Sequence, residues 1–108
     1  MSGMSDEQTE VVDAPERSRF EIRLDGALAG FAQYVRRGGR TFFVHTEIDP
    51  HFEGKGLGSK LAAGALGAER DAGTKVVPLC PFIRSYIDRH PDEMANVDNE
   101  LLERIDNE

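Results

Sequence analysis

Residues 49–60 read Asp-Pro-His-Phe-Glu-Gly-Lys-Gly-Leu-Gly-Ser-Lys, and this segment constrains the fold more than any other. Before it, apolar residues recur with a period of two, as in half-buried strands. After it they recur at three and four residues, as in a helix with one apolar face. Closely spaced glycines at the switch let a ligand touch the backbone. The N–H groups and dipole of the following helix favour an anion there. Lys55 and Lys60 add positive charge, so residues 54–60 can cradle a pyrophosphate. Two other phosphate loops are excluded. No register gives the G-x-x-x-x-G-K-[ST] of a P-loop. The spacing G-x-G-x-G also differs from the dinucleotide fingerprint, which needs a parallel βαβ unit. Glycines so spaced also serve as a plain loop and helix cap.

Phe20, Ile22 and Leu24 alternate with Glu21, Arg23 and Asp25 in a first strand. Asp25-Gly26 is a turn signal, and residues 28–36 form the return strand. Gly38-Gly39 permits a second turn, and residues 41–49, rich in β-branched and aromatic side chains, form a third strand. Short turns make these an antiparallel meander. A helix is expected over 57–72, with Leu57, Leu61, Ala65, Ala68 and Ala72 as its inner face and Gly73 as its C-terminal cap. Residues 75–80 form a short buried strand, parallel to its neighbour because a helix precedes it. A second helix covers 82–89 with Pro81 in its first turn, and Asp98 caps a last one over 99–105. The fold class is α/β (α+β): a three-strand antiparallel meander followed by helix, parallel strand and helix.

Charge divides the chain in the same way. Residues 1–16 carry −5, residues 91–108 carry −6, and residues 17–90 carry +4. The expectation is a flexible acidic tail over 1–16, a domain over 17–92, and an acidic extension with a short helix over 93–108. The basic centre suits a phosphate-bearing ligand. No basic run with interleaved aromatics indicates nucleic acid. No apolar stretch is long enough to span a membrane, and no signal peptide is evident at residue 1 onward. The single cysteine cannot form an internal disulfide, which makes a cytoplasmic location the default.

This order of elements around Glu53-Gly54-Lys55-Gly56-Leu57-Gly58 resembles the core of the GNAT N-acetyltransferase superfamily. Gly56 and Gly58 match the end of its Arg/Gln-x-x-Gly-x-Gly/Ala loop, while Glu53 stands where Arg or Gln is usual. The chain is most similar to the short YjdJ-type branch. The shared features are His45-Thr46-Glu47, the glycine segment, Val77-Pro78-Leu79-Cys80-Pro81-Phe82, Tyr86 and Arg89-His90-Pro91, in order across residues 18–92. The resemblance implies a small fold that holds coenzyme A between two splayed parallel strands and lacks the later strands of larger relatives. It implies acetyl-CoA contacts at Ile48, Gly54, Lys55, Gly56, Leu57, Gly58, Ser59, Lys60, Cys80 and Tyr86.

Acetyl transfer to an amine needs a neutral amine, an oxyanion site and a proton for the departing thiolate. Cys80 precedes a helix, where N–H groups lower a thiol pKa. It is either a covalent relay or a small buried hydrophobe. The resemblance sets it beside the cofactor thiol. His45 and Glu47 alternate and so share a sheet face. A glutamate on this strand is often the general base in larger relatives, and His45 has a suitable unperturbed pKa for proton transfer. Both are equally readable as ordinary strand residues. The resemblance gives Tyr86 the role of proton donor to the thiolate; otherwise it packs on the sheet. His45, His51, Cys80 and His90 lack zinc-ligand spacing, so no metal is expected. The implied activity is acetyl-CoA:amine N-acetyltransfer, to a protein lysine, a polyamine or a small amine. A coenzyme A or acyl-CoA binding module, or a protein-interaction adaptor using the acidic ends, are the other readings.

Overall fold

In a computed structural model, which describes residues 8–107, both predicted hairpin turns have the backbone that right-handed strand twist requires. Asp25 and Gly26 have φ of 50° and 86°, and Gly38 and Gly39 of 60° and 77°. These turns connect β2 (Arg19–Leu24), β3 (Ala27–Arg37) and β4 (Arg40–Ile48) into the expected antiparallel meander.

The meander has a strand that the sequence reading missed. β1 (Thr9–Ala14) pairs antiparallel with β2, from Thr9↔Leu24 to Ala14↔Arg19. The tail expected over 1–16 is therefore corrected from residue 9 onward, while residues 1–7 lie outside the described residues. Two long-range contacts recruit this acidic segment. Asp13 accepts hydrogen bonds from Tyr34 at 2.6 Å and from Arg36 at 2.9 Å. Val11 lies against Gly64, where an added Cβ would come within 2.8 Å of it.

The sheet order is β1-β2-β3-β4-β5. α1 (Leu57–Ala72) spans the range expected and ends on Gly73 at φ 75°. β5 (Lys75–Pro78) then pairs parallel with β4. α2 (Pro81–Arg89) and α3 (Asn99–Asp106) follow, with Asp98 capping α3 through Leu101 N at 3.0 Å. Residues 93–108 are not simply an appendage. Val97 is buried and bridges Val76 on the edge of β5 away from β4, and Asp98 bonds Arg40 at 2.6 Å.

α1 and α2 share one core with the inner face of the sheet, where Phe20, Ile22, Phe43, Leu61, Ile83 and Ile87 are almost fully buried. The buried stripe of α1 is Leu57, Leu61, Ala62, Ala65, Leu66 and Glu69, with Ala68 and Ala72 exposed. The expected face is thus rotated toward a carboxylate. Glu69 is buried because Thr41 donates to it at 2.9 Å and Arg36 at 2.7 Å, which offsets its desolvation.

Candidate active site

Two irregularities in β4 set the geometry. The register with β3 shifts between Gln33↔His45 and Tyr34↔Phe43, leaving Val44 as an extra residue. This bulge reverses the alternation. Thr41 and Phe43 face the core before it, and Thr46 and Ile48 face inward after it. His45 and Glu47 therefore lie on the outer face, with side chains 53% and 63% exposed. They share one face as the sequence suggested, and His45 Nε2 lies 2.9 Å from Glu47 Oε2.

The second irregularity is the end of β5. Parallel pairing runs from Arg40↔Lys75 to Phe43↔Pro78 and stops. Pro78 has no N–H to give. Leu79 N and Cys80 N both turn back to Phe43 O, at 3.0 and 2.8 Å, and the chain enters α2. The edge of β4 beyond Phe43 is left without a partner in β5, and the two strands diverge. Cys80 sits at this opening. It is buried, and its Sγ donates to Thr46 Oγ1 at 3.3 Å. Thr46 separates His45 from Glu47 in the chain, so the thiol and the His45–Glu47 pair approach one strand segment from opposite faces.

Past β4, Asp49 accepts from His51 N at 2.9 Å and caps a short turn over Pro50–Phe52. That backbone bond, followed by the His51 ring at 3.0 Å, holds the Asp49 carboxyl below its ordinary range. Gly54 and Gly56 then take φ of 86° and 71°, with nothing within 4 Å of a Cβ at either. Gly56 is the N-cap of α1 and provides no side-chain cap. The first-turn N–H groups have no intrahelical acceptor. The residues of this helix start, Gly56 to Ser59, line a cavity of about 240 Å³.

Ile48, Gly54, Gly56, Leu57, Gly58 and Ser59, all expected cofactor contacts, line this cavity together with Phe52, Glu53 and Phe82. Lys55 and Lys60 flank it along the chain. Gly58 has a different job from Gly54 and Gly56. A Cβ there would meet Phe82 Cζ at 2.5 Å, so its missing side chain admits the ring that walls the cavity. Phe82 and Gly58 form a contact between the first turns of α1 and α2 that no local pattern predicts. Tyr86 is buried on α2 and is not among the residues lining this cavity. It is six residues beyond Cys80, about 9 Å along the helix axis. Its ring stacks on His90 with centroids 4.0 Å apart. Burial, then the charges of Glu93 and Asp92, raise its pKa, so the phenol keeps its proton at neutral pH. His51 is 90% exposed and bonds only within its own turn among the contacts described.

A family model for GCN5-related N-acetyl-transferases matches residues 19–97. The chain belongs to that family. The match extends past residue 92 to Val97, the residue that bridges β5. No curated protein gives a match. In this family member the sheet ends at β5 among the described residues, and no described helix is long and apolar enough to cross a membrane.

Proposed function

We propose that this GCN5-related N-acetyltransferase moves an acetyl group from acetyl-CoA to an amine, and that it belongs to the short YjdJ-type branch. The observation that carries the reading is the union of three features at one strand end. An uncapped helix start lies behind two left-handed glycines, the adjacent edge of β4 is unpaired, and a buried thiol lies where β4 and β5 diverge.

The residues present fit the co-substrate. The open backbone at Gly54 and Gly56 and the first-turn N–H groups suit a pyrophosphate. The unpaired N–H and C=O groups of β4 suit an extended amide-bearing arm that adds to the sheet as a strand would. That arm ends near Thr46 and Cys80. Glu47, hydrogen-bonded to His45, takes a proton from the acceptor amine. The nitrogen attacks the thioester carbon, the C–N bond forms, and the C–S bond breaks. Cys80, within hydrogen-bond distance of Thr46 Oγ1, is one replaceable proton source for the departing sulfur. Tyr86 is a second proton source. Transfer is then direct, without an acetylated enzyme.

Glu53 favours the second reading, a binding module with little catalysis, because its carboxylate lines a cavity assigned to phosphates. Calorimetric titration with coenzyme A and thiol release from acetyl-CoA with an amine panel test both. Binding with turnover supports the transferase, binding without turnover supports the module, and no binding rejects both.

A further inference from the structure

A second cavity lies on the other side of the same strand end. It encloses about 200 Å³ between β3 and the exit of β4, and Leu28, Phe31, Glu47, Asp49 and Pro50 line it. Glu47 and Ile48 are consecutive in β4, so their side chains leave on opposite faces. Ile48 lines the cavity of the glycine segment, and Glu47 lines this groove.

The groove combines two carboxylates with an apolar wall. Glu47 is hydrogen-bonded to His45 and Asp49 to His51, yet they keep 63% and 45% of their side chains exposed, so each still presents carboxylate oxygen to the groove. Leu28 is 42% exposed beside the half-buried Phe31 ring. Arg19 lies 4.6 Å from the Phe31 centroid, and its guanidinium is bonded to Glu21 at 2.9 Å. The groove thus sets two carboxylates, each beside a histidine, over an apolar floor.

We propose that this groove is the acceptor site and that it selects primary alkylamines, an ammonium on an aliphatic stem with no carboxylate or phosphate beside it. The proposal rests on the acetyl-transfer reading. The ammonium is drawn to Glu47 and Asp49, and the stem lies on Leu28 and Phe31. An α-amino acid brings a carboxylate against two others and is rejected. The chemistry balances. One ammonium proton leaves through Glu47 before attack. A second nitrogen proton is lost as the amide forms, and the departing sulfur gains one. A lysine side chain and a polyamine share this chemistry.

The test uses the full chain, ¹⁵N-labelled, titrated with spermidine, with Nα-acetyl-lysine methylamide and with glutamate, without coenzyme A. The same compounds are then assayed by thiol release from acetyl-CoA. The two alkylamines are expected to shift the amides of residues 28, 31, 47 and 49 and to turn over, and glutamate to do neither. The lower KM names the source, polyamine or lysine. Leu28→Lys, at an exposed position, is expected to raise the alkylamine KM about tenfold, one charge contact at roughly 1.4 kcal/mol, with coenzyme A affinity unchanged by calorimetry. Coenzyme A binding with no alkylamine response in the groove, equal use of glutamate, or an unchanged KM in Leu28→Lys overturns the proposal and leaves the transferase reading standing. Groove shifts without coenzyme A binding support the groove's selectivity and reject the transferase reading.

Discussion

Gly56 combines a left-handed backbone with open space around its absent side chain. A Cβ there costs about 1–2 kcal/mol of strain and also fills the approach to the helix start. Gly56→Val is expected to weaken coenzyme A binding by more than tenfold in calorimetry, while circular dichroism still reports a folded chain. Equal affinities would remove the pyrophosphate from this segment. At the reacting end, direct transfer gives Glu47 and Cys80 unequal weight. Glu47→Gln is expected to lower kcat by about 10²–10⁴, the usual span for a lost general base. Cys80→Ala is expected to keep most activity, and mass spectrometry of wild type after brief exposure to acetyl-CoA to find no acetylated Cys80. An acetylated Cys80 that donates at the steady-state rate would replace direct transfer by a covalent relay.

Between elements, buried carboxylates tie the sheet together. Glu69 joins α1 to Thr41 of β4 and Arg36 of β3, and Arg36 also reaches Asp13 of β1. Removing one partner of a wholly buried pair costs about 3–5 kcal/mol. Arg36 keeps 39% exposure, so Glu69→Ala is expected to cost less, about 2 kcal/mol in urea unfolding. Glu21 is buried on the outer face under Arg23 and Arg19, with Arg17 at 3.6 Å. The hydrogen bond from Arg23, opposed by burial and then reinforced by Arg19, holds its carboxyl below the ordinary 4.5. A lowered folded-state pKa means that this contribution to stability is complete above about pH 4.5 and is lost as pH falls through the folded value. The melting temperature is expected to drop from pH 5 toward pH 3, and Glu21→Gln to be less stable at pH 7 with a shallower drop. Parallel curves for the two proteins would assign the acid transition to other groups.

For the whole molecule, a bound co-substrate that spans β4, the glycine segment and α2 should raise global stability. At 100 times its dissociation constant it adds about 2.7 kcal/mol, which for a chain of this length is a melting shift of about 10 °C or more. Scanning calorimetry with and without coenzyme A checks this, and an unchanged transition counts against the site. The small sheet leaves little redundancy, since β1 contributes an edge strand, the Val11–Gly64 contact and the Asp13 bonds.

Much of this protein follows from short-range rules visible in its residues. Asp25-Gly26 and Gly38-Gly39 specify their turns because few residues tolerate positive φ. Leu57 to Gly73 specifies a helix and its end, and the break in periodicity at residues 49–58 marks where strand gives way to anion-ready backbone. Tertiary structure alone decided the rest, because the deciding partners lie far apart in sequence. The Val44 bulge chose the face that carries His45 and Glu47. Arg36 and Thr41 turned Glu69 inward and rotated the stripe of α1. Val11 and Asp13 drew an acidic segment into the sheet, and Val97 closed the edge of β5. Phe82 found its place over Gly58 only once α1 and α2 had packed side by side. A charge or a bulge has no preferred side until its cross-strand partners are present, so the outer-face groove beside Glu47 exists only in the folded chain.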